Sequence, residues 1–334
     1  MNYVAPDRSL PATISIEGLT KTYGEVEAVQ SIDLEVSERE TFGFLGPNGA
    51  GKSTTIGMLT TLVSPTSGRA RVAGYDIISE REAVRRNIGL VFQDSTLDGY
   101  LSAEANLKLH AELYGVPRAI VADRLRQMLE MVGLWDRRKS KVNTFSGGMK
   151  RRLEIARGLL HSPVVLFLDE PTVGLDPQTR SSIWSYINEL RKAEGTTIFM
   201  TTHYMDEAEF CDRIAIMDHG RIVALGTPDA LKAEIGEDRV QIRTTDDDKA
   251  VMDLKDLFGV SAKIIEGQVT FTVAGGERFV PRLFGELNVP ILSVNVARPT
   301  LDDVFMKHTG TTIRDAEASA TERMRANPMF RGRR

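Results

Sequence analysis

Cysteine is almost missing from this chain: Cys211 is the single one among 334 residues. No disulfide framework can form within the chain, which suits a reducing compartment. A lone thiol of this kind reads as a small packed residue rather than a nucleophile. Long apolar runs are also missing. Val164-Val165-Leu166-Phe167-Leu168 falls far short of the ~20 residues that a bilayer crossing needs. The stretch from Met1 to Pro11 holds Pro6 and Asp7 and no apolar h-region, so a secretory signal is not expected. Nor does one sign of charge dominate. Lys and Arg number 42 and Asp and Glu 46, a formal net charge of -4, which leaves no electrostatic footprint for nucleic acid. What is present is 42% hydrophobic and 26% charged, as in ordinary globular proteins. The length allows two domains, with a large core in at least one. The expectation is a chain that stays in the cytosol or is held at a membrane by a partner.

Patterning divides the chain. Period-two runs at Ile14-Ser15-Ile16 and Ile32-Asp33-Leu34-Glu35-Val36 predict half-exposed strands. Short apolar runs at 41–45, 88–92, 164–168 and 196–201 predict buried strands. From about 102 to 161 the spacing turns helical. Leu107, Leu113 and Val116 fall near one predicted face, and Leu125, Met128, Leu129 and Val132 near another, with Gly115-Val116-Pro117 between the two helices. Pro177 opens a further helix. Asp218-His219-Gly220 reads as a hairpin turn between two strands. The pattern then restarts: a strand at 240–243, a helix at 249–258, strands at 262–265 and 269–273, a helix at 279–287 and a strand at 291–296. The expected organisation is an N-terminal extension 1–13, an α/β domain 14–236 with a helical insertion at about 95–162, a small α+β domain 237–310, and a mobile Arg-rich tail 311–334.

The most specific motif is Gly46-Pro47-Asn48-Gly49-Ala50-Gly51-Lys52-Ser53, which fits G-x-x-x-x-G-K-[ST]. A predicted strand precedes it, and Thr54 and the residues after it open a predicted helix. Glycines let the backbone curl so that several N–H groups face one anion, and the helix dipole adds to that field. Lys52 suits the β/γ-phosphates, and the Ser53 hydroxyl suits Mg²⁺. A second element, 164–168, is a buried strand that delivers Asp169 and Glu170 at its carboxyl end, beside the phosphate loop of a parallel sheet. Asp169 is a hard oxygen ligand for Mg²⁺. Glu170 is placed to take a proton from an attacking water, a role worth ~10²–10⁴ in rate. Between them, Ser146 is a good N-cap, and Gly147 and Gly148 leave bare N–H groups at a helix start. Two phosphate sites in one chain suggest a nucleotide held by two surfaces.

Taken together, these residues resemble the nucleotide-binding subunit of an ATP-binding cassette (ABC) transporter over about 15–235. Seven elements stand in the family's order. Tyr23 is where the family stacks an aromatic on adenine. The phosphate loop is its Walker A motif. Gln93 resembles the Q-loop glutamine. Phe145-Ser146-Gly147-Gly148-Met149 resembles the Leu-Ser-Gly-Gly-Gln signature, changed only at its ends. Asp169 and Glu170 match Walker B and the catalytic glutamate. Gly174-Leu175-Asp176 resembles the D-loop, with Val173 where many relatives carry Ser or Thr, a hydroxyl lost. His203 matches the switch histidine. The stretch from Ala297 to Phe305 is similar to ATPases of daunorubicin-resistance type exporters, and it also reads as a capped helix, with Thr300 as N-cap and Asp302 and Asp303 in the first turn. The arginines of the tail, Arg323, Arg325, Arg331, Arg333 and Arg334, suit either an anionic lipid surface or a solvated terminus.

The resemblance implies a P-loop NTPase cassette: a RecA-like core sheet, an antiparallel β subdomain and a helical subdomain, followed by the small α+β domain. It implies ATP as substrate and Mg²⁺ as its metal. Lys52, Gln93, Glu170 and His203 would be catalytic. Ser53, Gln93 and Asp169 would serve the metal. Tyr23, the loop from Gly46 to Thr54 and Asp176 would hold the nucleotide, with Ser146, Gly147 and Gly148 acting across a dimer. The implied partners are a second copy, packed head to tail around ATP, and a separate integral-membrane permease that would hold the chain at the cytoplasmic face of the membrane. No nucleic acid is expected. The implied cargo class is drug or antibiotic, lipid or polysaccharide. A rival is a soluble ABC ATPase acting on ribosomes or DNA. Ribosome-acting relatives usually carry two cassettes in one chain, whereas this chain has one. DNA-repair relatives carry long coiled coils or zinc modules, which neither the cysteine count nor the short insertion fits. A pure nucleotide switch is disfavoured because Glu170 and His203 are both present.

Overall fold

The computed structural model describes residues 12–310 apart from residue 266. The expected tail 311–334 lies outside the described residues, as does most of the expected extension 1–13. Residues 12 and 13 belong to the first strand. The described residues form two compact units, 12–228 and 229–310.

In the first unit Ala12–Tyr23 (β1) and Val26–Ser37 (β2) pair as a long antiparallel hairpin. Thr41–Leu45 (β3) is buried along its whole length and leads through the glycine loop into Lys52–Leu59 (α1). Ser67–Val72 (β4) and Tyr75–Asp76 (β5) extend the first sheet, whose order is β2-β1-β4-β5. Arg81–Asn87 (α2) then leads into Ile88–Val91 (β6). A helical stretch follows: Ala103–Leu113 (α3), Arg118–Met131 (α4) and Gly147–Leu159 (α5). The chain returns to the sheet as Val165–Asp169 (β7), Pro177–Glu194 (α6), Thr197–Thr202 (β8), Met205–Ala208 (α7) and the hairpin Arg213–Asp218 (β9) and Arg221–Gly226 (β10).

The second sheet has the order β10-β9-β3-β8-β7-β6. Its strands from β9 to β6 are parallel, and β10 is antiparallel to β9. Parallel strands covered on both faces read as continuous apolar runs, which is why β3, β7 and β8 stood out in the sequence. One core serves both sheets: Ile14, Ile16 and Val36 from the first meet Phe42, Phe44, Phe167 and Phe199 from the second. Phe42 and Phe199 stack with ring centroids 5.5 Å apart. Each such side chain contributes about 1.5–3 kcal/mol on burial.

Helix ends follow their caps. Ser102 accepts from the Ala105 N–H, Ser146 from Met149 and Asp176 from Thr179, while Gly195 closes α6 in the left-handed conformation. The expected face of Leu107, Leu113 and Val116 is not kept. The helix ends at Leu113, its buried side is Leu107 and Ala111, and Leu113 is 75% exposed. The face of Leu125, Met128, Leu129 and Val132 is buried.

After Pro228–Ala233 (α8) the second unit runs Asp238–Thr244 (β11), Asp247–Phe258 (α9), Ala262–Ile265 (β12), Gln268–Val273 (β13), Gly276–Glu286 (α10), Ile291–Ala297 (β14) and Leu301–Thr309 (α11). The six elements from β11 to β14 make a split βαβ arrangement, with an antiparallel sheet of order β12-β13-β11-β14. Val240, Ile242, Val269 and Phe271 of the sheet pack with Ala250, Leu254, Phe279 and Leu283 of α9 and α10. The helix α10 begins three positions before the expected Phe279: the Gly276 N–H donates to Asp238 Oδ2 at 2.8 Å, which satisfies an orphan donor at the helix start. Thr300 and Asp303 form a complete capping box for α11. The division at residue 228 falls earlier than the expected 236. Leu231 of α8 is buried, and Lys307 of α11 donates to the Glu234 carbonyl at 2.5 Å, so these residues belong with α11.

Candidate nucleotide site

The phosphate loop joins β3 to α1 across residues 46–51. Gly51 sits at φ 108, where only glycine is comfortable, and a Cβ there would lie 2.4 Å from the Ala28 carbonyl oxygen. Gly46 is equally confined: its Cβ would meet the Met217 carbonyl oxygen at 2.2 Å. Pro47 and Ala50 are buried, whereas Asn48 and Gly49 are exposed, and Thr54 is half-buried. The Pro47 carbonyl accepts from the Ala50 N–H. Lys52 is 4% exposed and donates through Nζ to the carbonyls of Gly46 at 2.6 Å and Pro47 at 3.0 Å. The same ammonium lies 3.6 Å from Glu170 Oε1.

The strand that carries Asp169 is not the neighbour of the phosphate-loop strand, since β8 lies between β3 and β7. The side chains nevertheless meet. Ser53 Oγ donates to Asp169 Oδ1 at 3.1 Å, and Thr201 Oγ1 donates to the same oxygen at 2.5 Å. Thr201 was not expected in the site. Its signal lies in the β7–β8 register, which pairs it with Asp169 and which sequence patterning does not contain.

Glu170 is the meeting point. It is 6% exposed and sits at φ 46, a left-handed conformation that costs a non-glycine residue of order 1–3 kcal/mol. Its N–H is held by the Thr201 carbonyl at 3.2 Å and Thr201 Oγ1 at 3.1 Å. Gln93 Nε2 donates to Glu170 Oε2 at 3.1 Å, and His203 Nδ1 lies 3.3 Å from Oε1. Burial pushes the Glu170 carboxyl pKa up, but the hydrogen bond with His203 and the charge of Lys52 pull it down, and the net shift is downward. The carboxylate is therefore kept in its charged form. Nearby, Glu207 is buried and its pKa is raised by that burial; it accepts from Thr202 Oγ1 at 2.6 Å and from Thr172 Oγ1, so it ties the segment before Gly174 to the end of β8. No motif pointed to Glu207.

Structure thus gathers Lys52, Ser53, Gln93, Asp169, Glu170 and His203. Ser146, Gly147, Gly148, Asp176 and Tyr23 have other neighbours. Ser146 caps α5. A Cβ at Gly147 would meet Leu175 at 3.4 Å, and one at Gly148 would meet Thr179 at 2.5 Å, so the signature lies against the start of α6. Asp176 caps α6 and is exposed; its side-chain hydrogen bond with Thr179 lowers its pKa. Tyr23 ends β1 as an exposed ring, with Lys21 Nζ 4.8 Å from its centroid.

Comparison with known proteins agrees with this geometry. A family model described as ABC transporter matches residues 29–173. A second, described as ATP-binding protein DrrA1-3-like, C-terminal domain, matches residues 226–309. The chain is 39% identical over 311 residues to the linearmycin resistance ATP-binding protein LnrL of Bacillus subtilis (strain 168), covering 90% of this chain and 100% of that one. It is also 39% identical over 313 residues to the daunorubicin resistance ATP-binding protein DrrA3 of Streptomyces coeruleorubidus, covering 92% of this chain and 98% of the relative. Among solved structures it is similar to the dimeric, post-hydrolysis ATP-binding cassette MJ0796 bound to ADP and Pi. That match has a TM-score of 0.58 at 29% identity and covers 64% of this chain and 98% of the other. The phosphate loop, the acidic strand end and the C-terminal domain occur in one chain that matches these relatives along nearly all of its length: it belongs to the ABC transporter ATP-binding subunits, as an ATPase with a DrrA-like C-terminal domain.

Proposed function

We propose that this chain pairs head to tail with a second copy around Mg-ATP and drives a separate integral-membrane permease that exports a drug, antibiotic, lipid or polysaccharide. The observation that carries the chemical part is the convergence of Lys52, Gln93 and His203 on the buried carboxylate of Glu170. In this reading the loop N–H groups, the start of α1 and Lys52 hold the phosphates. Glu170 accepts the proton of the water that attacks the γ-phosphorus; the bond to the leaving ADP oxygen breaks, and ADP and phosphate result. His203 and Gln93 orient Glu170 and the water. Ser146, Gly147, Gly148 and Asp176 complete the site of the partner copy, and Tyr23 offers its exposed ring to the base.

The donor set suits Mg²⁺. Ser53 Oγ and Asp169 Oδ1 are hard oxygens in contact, and among the described residues no group of three or more His, Cys, Asp or Glu could cage a metal. Mg²⁺ is commonly held by one or two carboxylates together with substrate phosphates, not by an all-protein cage. Ser53 and Asp169 would hold it, with Gln93 beside them, and when bound it neutralises phosphate charge.

Among the described residues no helix is long and apolar enough to cross a membrane, so a transport path calls for a separate protein. The names of the relatives, for linearmycin and daunorubicin resistance, support export of such compounds at the cytoplasmic face of the membrane. They also weigh against a role on ribosomes or DNA. The direct test is Glu170→Gln. Turnover is expected to fall ~10²-fold or more while ATP still binds and a long-lived ATP-bound dimer accumulates in gel filtration. Wild-type turnover would remove Glu170 from the role of base.

A further inference from the structure

The helix that begins at the signature serine grips the catalytic backbone through one buried guanidinium. Arg151 lies early in α5 and is 6% exposed. Its Nη2 donates to the carbonyl oxygens of Asp169 and Glu170, each at 3.2 Å. Its Nη1 donates to the Phe92 carbonyl at 2.5 Å, and its Nε to the Pro171 carbonyl. Glu154, one turn further along and also buried, lies 3.2 Å from Nη1. The other oxygen of Glu154 accepts from the Thr96 N–H at 2.8 Å. Two side chains of one helix therefore hold both ends of the segment 92–96 and three consecutive carbonyls at 169–171.

We propose that Arg151 is a positioning residue for Glu170: its guanidinium locks the backbone at 169–171 and the carbonyl of Phe92 into one frame with the signature helix, so that Gln93 and Glu170 meet in working geometry. This rests on Glu170 acting as the base. The argument is one of over-determination. Glu170 is held at φ 46, and such a conformation persists only where the surroundings enforce it. The β8 side supplies one restraint, through Thr201 on the Glu170 N–H. Arg151 supplies the other, on the carbonyl of the same residue. Only a planar fork of donors can serve four main-chain carbonyls at once. An apolar pair of similar volume would often stabilise a core as well as a buried ion pair does, so the bonds to catalytic backbone give the pair its purpose.

Arg151→Lys tests this, because it keeps the charge opposite Glu154 and removes the fork. The full chain is expected to melt within a few degrees of wild type. Its kcat should fall about tenfold or more while KM for ATP changes less than about threefold, the split that marks an interaction lost at the chemical step rather than in binding. Arg151→Gln, which also strands the Glu154 charge, should lose more turnover and some stability. Wild-type kcat in R151K overturns the proposal. So does a loss of kcat/KM that lies wholly in KM. Run beside them, E170Q separates the two readings: turnover kept in E170Q rejects the base, while turnover lost in E170Q and kept in R151K rejects the positioning role alone.

Discussion

Glu170 is pulled two ways. Burial raises its pKa above the ordinary 4.5, whereas the His203 hydrogen bond and the Lys52 charge lower it, and the lowering side prevails. A carboxylate held below its ordinary value contributes stability that is fully present above about 4.5 and is lost as pH falls through the lower folded value. On the proposed role of Glu170 as the base, the same sign governs its chemistry, since a base must be ionised and kcat/KM reports the free enzyme. The acid limb of kcat/KM is therefore expected below 4.5 in the wild type. Replacing His203 with Ala removes the largest lowering contribution and leaves burial in place, so the limb should move up. A pH profile of ATP turnover reads this directly, whatever happens to kcat on the plateau. An unmoved limb would show that His203 does not tune the carboxylate.

Helix α5 can carry both the signature and Arg151 only because it lies very close to the sheet. Gly89 of β6 faces Gly158 of α5, and a Cβ at Gly89 would lie 2.2 Å from the Gly158 carbonyl oxygen and 2.9 Å from Leu166. Backbone cannot give way as a side-chain end can, so Gly89→Ala should push α5 outward at a cost of about 1–3 kcal/mol. Thermal melting should register that cost, and turnover should fall with it because Arg151 is displaced. Gly285→Ala, inside α10 with open space around it, should be neutral or stabilise by about 0.5–1 kcal/mol. Equal effects of the two would refute the close-approach argument. At this scale the sequence was legible where period and caps agreed: β3, β7 and β8 as apolar runs, α5 from Ser146, and α11 from Thr300. Other features depend on pairing across the fold. Nothing local in Ile88-Gly89-Leu90 says what the glycine must pass, Leu113 lies at the last position of α3 and is exposed, and α10 starts before the expected Phe279 because Asp238, distant in sequence, supplies a partner for the Gly276 N–H. The residue types that meet around Glu170 and Asp169 were legible from the motifs. The contribution of Thr201, Arg151 and Glu207 was not, since each acts through main-chain groups or hydroxyls distant in sequence.

The phosphate loop and the signature glycines have different neighbours within one chain. The phosphate loop faces Asp169 and Glu170, whereas Gly147 and Gly148 are packed beside Leu175 and Thr179 at the start of α6. If the working unit is a head-to-tail pair, each ATP meets the loop of one copy and the signature of the other. That arrangement is two-fold symmetric and isologous, so every pair holds two equivalent sites. Complementation between two defective chains decides the matter. Lys52→Met spoils only the loop half, and Ser146→Arg spoils only the signature half at a capping cost of about 1 kcal/mol. Each variant alone lacks any intact site. In a mixed pair, the loop of the Ser146 variant meets the signature of the Lys52 variant and one whole site returns. Random pairing of equal amounts makes about half of the pairs mixed, each with one good site of two, so turnover should recover to about a quarter of wild type. A site completed within one chain would give no recovery at any mixing ratio, because each chain would carry its own defect into its own site.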